Sequence, residues 1–192
     1  MAVEAVVFDV GETLVDETRA WEAVADECGV PRFTLMALVG STIGTGHSHH
    51  RAFELLGIEP SRRAFFEEQW YPDAVPCLER LHARGFVVGA AGNMATDHEE
   101  LLRDHAAFVT SSERLGVEKP SPGFFERIAE LAGVPAEKIA YVGDRVDNDV
   151  APALAAGMVG VHIRRGPWGY LQEPPDGAIR IRSLDELPEA IE

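Results

Sequence analysis

Four short apolar runs, each stopping at a small or charged residue, restrict this chain to a few architectures. They are 3-VEAVVFD-9, 86-FVVGAAGN-93, 139-IAYVGD-144 and 159-VGVHIRR-165. Apolar runs of this length, rich in Val and Ile, read as buried strands. Between them lie segments with helical spacing. Leu78 and Leu81 precede Gly85, and Leu101 and Leu102 follow the acidic stretch 97–100. Phe124, Phe125, Ile128, Leu131 and Ala132 precede Gly133, and Val150, Leu154 and Ala155 precede Gly157. A glycine just after the last periodic residue is a common helix stop. A weaker run, 106-AAFVTSS-112, predicts a fifth strand. Strands alternating with helices of this length predict an α/β fold, with a parallel sheet covered on both faces. Ligands of such sheets bind beyond the C-terminal strand ends, and Asp9, Asn93 and Asp144 all fall on that edge.

Residues 16–74 break the alternation. They hold helical stretches around 17–29, 32–42, 48–57 and 61–70 with no clear strand. This predicts a small helical cap inserted between the first two core strands, leaving 1–15 and 75–192 as the core. Trp21, Phe33, Leu35, Met36 and Leu38 are expected to form the cap's own core and its contact with the sheet. The stretch 174-PPDG-177 predicts a turn before a short last strand and a final helix.

With 192 residues, 46% of them hydrophobic, the chain is long enough for one domain with such an insertion. Its net charge of −15 argues against nucleic acid or an anionic membrane as a partner. No apolar run reaches the ~20 residues that span a bilayer, and no basic segment precedes an apolar one as in a signal peptide. Cys28 and Cys77 lack metal-ligand spacing and are expected to be free thiols, which points to a cytoplasmic location.

The chemistry is carried by three separated pieces. In 6-VVFDVGETLVD-16, Asp9 ends a strand at a glycine-containing turn; Lys119-Pro120 sits in 116-GVEKPSPGFF-125 before a helix; and 142-VGDRVDND-149 carries Asp144, Asp147 and Asp149 at another strand end. Each alone has an ordinary structural reading, as a turn residue, a loop or a helix cap. Together they suit phosphoryl chemistry. A carboxylate that attacks a phosphoryl group faces charge repulsion, which a divalent cation held by Asp9 and Asp144 and the ammonium of Lys119 would offset. Mg²⁺ suits carboxylate, carbonyl and phosphate oxygens.

The stretches 9-DVGETL-14, 91-AGN-93, 118-EKPSPGFF-125 and 143-GDRVDNDVAPALAAGM-158, in this order, resemble the haloacid dehalogenase-like superfamily over essentially the whole chain. The resemblance implies a Rossmann-like core with strand order 5-4-1-2-3 and Mg²⁺-dependent hydrolysis of phosphate esters. By position Asp9 is the nucleophile that becomes an aspartyl-phosphate, and Gly11 gives a backbone carbonyl to Mg²⁺. Asp144 is a direct metal ligand, and Asp149 a second ligand or an outer acceptor through water. Lys119 bridges nucleophile and phosphoryl group, with Gly92 and Asn93 beside it holding the anion.

Two positions depart from the family pattern. Most phosphatases of the family carry a second Asp two residues after the nucleophile, which acts as acid and base; here that residue is Gly11. The Ser or Thr that usually touches the phosphate is here Gly92. Glu12, Asp147, His47, His49 and His50 are the candidates to replace the missing acid. The expected function is a phosphatase for a small phosphorylated metabolite, working as a monomer or homodimer. A metal-independent 2-haloacid dehalogenase and a catalytically impaired binding or regulatory protein stay open as alternatives. The histidines of 46-GHSHH-50 are expected in a solvated cap loop rather than a zinc site. Arg164, Arg165 and Trp168 are expected in a surface turn with one anchored aromatic.

Overall fold

The computed structural model describes residues 2–59 and 69–192. β1 (Ala5–Phe8) leads into three helices, α1 (Thr18–Glu27), α2 (Arg32–Gly44) and α3 (His50–Leu56). Then come α4 (Ala74–Ala83), β2 (Val87–Gly92), a 3-10 helical segment (Thr96–His105), β3 (Phe108–Ser111), α5 (Ser112–Leu115) and α6 (Pro122–Ala132). β4 (Ile139–Gly143), a wide helical turn (Val146–Val150), α7 (Ala151–Ala155), β5 (Val159–Ile163), α8 (Gly166–Leu171), β6 (Ile179–Ile181) and α9 (Leu187–Ala190) complete the chain. The helix expected at 61–70 falls largely outside the described residues.

The six strands form one parallel sheet in the order β3-β2-β1-β4-β5-β6. The expected order 5-4-1-2-3 is contained in it. The tail strand corrects that order by extending the sheet beyond β5.

β1 shows why the sheet is covered twice. All of its residues are buried, and its side chains alternate between two cores. Val6 and Phe8 pack with Leu78 and Leu81 of α4 on one face, while Ala5 and Val7 pack with Phe124, Phe125 and Ile128 of α6 on the other. This is the period of two that sends successive strand side chains to opposite faces. Each large apolar side chain so buried contributes about 1.5–3 kcal/mol. The Tyr141 hydroxyl, inside the second core, donates to the Ala91 carbonyl at 2.8 Å and so links β4 to β2 across β1.

Register then fixes the site. Phe8 lies opposite both Ala90 and Val142, and the Asp9 amide still donates to the Val142 carbonyl at 2.8 Å. Asp9, Gly92 and Asp144 therefore leave the sheet at nearly one level. They do so where the chain order reverses around β1, the place where parallel sheets open a crevice.

The helices α1–α3 gather a third core from Ala25, Leu35, Val39, Ile43, Ala52 and Phe53, joined by Trp168 of α8. Phe33 corrects an expectation. It is 85% exposed on α2, because Leu35, Val39 and Ile43 carry the inward side of that helix. The two connections to this helical layer run together, with Val15 bridged to Trp70 and the Tyr71 amide donating to the Leu14 carbonyl at 2.9 Å.

Arg165 fastens this crossing. It lies 4.0 Å from the Tyr71 ring centroid, donates to the Thr13 carbonyl at 2.7 Å and pairs with Asp73 at 2.5 Å. Asp73 also accepts from Ser183 and from the Leu184 amide. Burial works against the ionised Asp73, but Arg165, Ser183 and Leu184 outweigh it and hold the carboxyl below its usual range. Its stabilising contribution is therefore complete above the ordinary pKa of 3.8 and disappears as pH falls through the lower folded value. Asp73→Ala should cost about 2–3 kcal/mol at pH 7, because it leaves a half-buried guanidinium unpaired. Tm should drop by roughly 5–10 °C. Thermal unfolding at pH 7 and at pH 3 checks both points, since the difference between variant and wild type must shrink in acid.

Candidate active site

Asp9, Lys119 and Asp149 meet at the C-terminal edge of the sheet. The Lys119 ammonium, on a residue 3% exposed, donates to Asp9 Oδ1 at 2.5 Å and to Asp149 Oδ1 at 2.6 Å. It lies 5.7 Å from the Tyr141 ring centroid and 6.0 Å from that of Phe124. Burial alone would neutralise this lysine, but the charges of Asp149 and Asp9 prevail and hold it protonated, well above its usual pKa.

Asn93 aims the lysine. Its side-chain amide donates to the Lys119 carbonyl at 2.9 Å and accepts from the Lys119 amide at 2.8 Å. Both ends of that side chain are thus engaged with the Lys119 main chain, which leaves one amide N–H of Asn93 uncommitted by these bonds.

Asp149 reaches the lysine because Gly143 has no side chain; a Cβ there would sit 2.5 Å from the Asp149 carboxyl carbon. Its other oxygen accepts from the Arg145 amide at 3.1 Å. Asp144 is different. It is buried, and its Oδ2 accepts no hydrogen bond among the described residues. Burial, then the charges of Asp149, Asp9, Glu12 and Glu17, push its carboxyl well above the usual range. One oxygen from each of Asp9, Asp144 and Asp149 lies within 4.8 Å of the others. An unpartnered buried carboxylate oxygen in an all-oxygen donor set fits a small hard dication such as Mg²⁺. Such a charge also relieves the repulsion among these acids.

The remaining acids divide by partner. Glu12, in the left-handed region at φ 52°, accepts from the Tyr71 hydroxyl at 2.6 Å and from the Glu17 amide at 3.0 Å. Asp147 is exposed and paired with Arg145 at 2.8 Å. Glu17, which the sequence reading passed over, has its carboxyl against Gly11 and accepts from the Trp21 indole. Burial, then the charges of Glu12 and Asp9, push it up to about 8.

A cleft of about 320 Å³ opens above these groups, with Trp21, His49, Met94, Arg145 and Trp168 on its walls. Two expectations change here. His49 is half-buried, 5.7 Å from the centroids of both Trp21 and Trp168, while His47 and His50 stay exposed. Burial and the neighbouring His50 and Arg145 push its pKa down to about 4, so the ring is neutral. Trp168, expected as the anchored aromatic of a surface turn, is instead a buried wall of the cleft on α8, and Arg145 stacks 5.1 Å from it. Local sequence pattern gave no sign of either contact, since both depend on partners far along the chain.

The chain is 31% identical to a glyceraldehyde 3-phosphate phosphatase of Methanopyrus kandleri, across 99% of this chain and 96% of that one. It is 33% identical to a phosphoserine phosphatase of Thermus thermophilus, across 71% of this chain and 60% of that one. A crystal structure described as a dehalogenase superposes with TM-score 0.74 at 23% identity, covering 99% and 98% of the two chains, a likeness of fold. The model of the haloacid dehalogenase-like hydrolase family matches residues 3–157, and the chain belongs to that family of hydrolases.

Proposed function

We propose that this protein is a Mg²⁺-dependent phosphatase that hydrolyses a small phosphorylated metabolite through an aspartyl-phosphate on Asp9. One observation carries the reading: a buried ammonium bridges Asp9 and Asp149 beside the unpartnered oxygen of Asp144. Asp9 and Asp144, with the Gly11 carbonyl, would hold the cation. Asp149, committed to Lys119 and the Arg145 amide, orients the lysine and would serve the cation as an outer acceptor through water. The cation supplies positive charge to the phosphoryl oxygens and to the attacking carboxylate. Lys119 orients Asp9 and adds a second positive charge where negative charge builds in the transition state. The main chain at Gly92 and Asn93 meets the phosphoryl group beside it.

The helices within 16–74 act as a cap over the cleft and set its specificity through Trp21 and His49. A cleft of about 320 Å³ is of a size for a small molecule. The named substrates of the two relatives, glyceraldehyde 3-phosphate and phosphoserine, are three-carbon phosphates and are the first compounds to try. No helix among the described residues is long and apolar enough to cross a membrane, and both cysteines are free. We assign the protein to the cytoplasm, acting on a small molecule as a monomer or homodimer.

The test is a panel of phosphate esters assayed with Mg²⁺ and with EDTA. Turnover of at least one metabolite that EDTA abolishes is the expected result. Halide release from 2-haloacids, unaffected by EDTA and without phosphate release, would overturn the assignment in favour of a dehalogenase. Binding of phosphorylated ligands without any turnover would point to a binding protein.

A further inference from the structure

We propose that Glu17, at the start of the helical insertion, supplies the carboxyl group that protonates the leaving alcohol and then activates the hydrolytic water, a task for which Gly11 has no side chain. This rests on the phosphatase reading given above. The main observation is steric. Gly11 has none of the positive φ that obliges many glycines of this chain to be glycine, so its backbone would accept a side chain. What excludes one is Glu17. A Cβ built on Gly11 would lie 2.6 Å from the Glu17 carboxyl carbon and in closer collision with Oε1. A carboxyl group thus already fills the space that a side chain at position 11 would enter, two residues beyond Asp9.

The second observation is that this carboxyl is held in place and aimed inward. The Glu17 amide donates to Glu12 Oε1 at 3.0 Å, its carboxyl accepts from the Trp21 indole, and it lines the same cleft as Asp9 and Lys119. Glu12 is fastened to Tyr71 and Asp147 to Arg145, whereas the Glu17 carboxyl is the group nearest to a side chain built on Gly11 among the described residues outside its chain neighbours.

The Asp9 carboxylate forms a bond to phosphorus while the phosphorus–oxygen ester bond breaks. The electron pair of that bond goes to the departing oxygen, which takes the Glu17 proton and leaves as the alcohol. The Glu17 carboxylate then takes a proton from a water molecule as its oxygen bonds to phosphorus. The bond from phosphorus to Asp9 breaks, returning the Asp9 carboxylate, the protonated Glu17 and inorganic phosphate.

Glu17→Gln keeps the size and the Trp21 contact but removes the proton donor and base. It is to be assayed with Mg²⁺ on p-nitrophenyl phosphate, whose leaving group departs without a proton, and on glycerol 3-phosphate, whose leaving group needs one. With the aryl ester the variant should release about one p-nitrophenolate per site in a fast burst. A steady state about 10²-fold below wild type should follow, because only the water step has lost its base. With the alkyl ester no burst should occur, and the first turnover should itself be slow by a similar factor. Gly11→Asp combined with Glu17→Ala should regain at least about tenfold over Glu17→Ala alone, by returning a carboxyl to the same space. A structural role for Glu17 would slow first and later turnovers together and give no such rescue, and that result overturns the proposal. So does wild-type turnover by Glu17→Gln. If the wild type hydrolyses neither ester nor any of the panel, the phosphatase reading itself fails and takes this one with it.

Discussion

Asp9→Asn should fold like the wild type and lose hydrolysis of every phosphate ester by on the order of 10⁴-fold or more, the scale on which nucleophile removal acts in covalent catalysis. The substitution is nearly isosteric. The Asp9 amide keeps its bond to Val142, and Lys119 keeps Asp149 as a charged partner, so the fold retains its ties. It also removes one negative charge from a pocket where Asp144 and Glu17 are both pushed toward their neutral forms, partly by Asp9 itself. Tm without metal should therefore hold or rise. Acid quenching during turnover should trap phosphate on the wild-type protein and none on the variant. Turnover by the variant close to that of the wild type would sink the nucleophile assignment, and with it the proposed function.

Lys119→Met should damage both stability and rate. The methionine replaces the four-atom stem of the lysine but leaves Asp9 and Asp149 buried without their counter-ion. Breaking a buried pair in this way costs about 3–5 kcal/mol, which for a chain of this size lowers Tm by roughly 10 °C or more. Loss of one positive charge at the developing transition state should lower kcat by a further 10²–10³-fold, on the order of that for an oxyanion donor. The two effects separate in a double-mutant cycle. If the ammonium acts by neutralising Asp149, then Asp149→Asn must be less harmful in the Lys119→Met background than alone, by at least about 1 kcal/mol. Additive effects would mean that the 2.6 Å contact contributes little.

The sheet was legible because its signals are local. Apolar runs and glycine stops set β1, β2, β4 and β5 within a residue or two of their expected ends. Asp9 and Asp144 stood out because each follows such an end, and Lys119 because Lys119-Pro120 precedes a helix in an order that resembles the family. Glu17 did not, since a charged residue at the start of an amphipathic helix is commonplace and its meaning depends on Gly11 across a turn. His49 and Trp168, 119 positions apart in sequence, meet only once α3 and α8 have been packed. Phe33 failed for a related reason. Pattern marks a residue as apolar but cannot tell which side of a helix finds a partner when the helix is apolar around most of its circumference, as α2 is.

The exchange of two hydrogen bonds between Asn93 and the main chain of Lys119 has a consequence for local motion. It staples the tip of β2 to the loop before α6, two segments that would otherwise breathe separately. Amide protons on either side of that staple should exchange with solvent as one unit, and the ammonium should not be able to swing out of the pocket unless the strand tip frays with it.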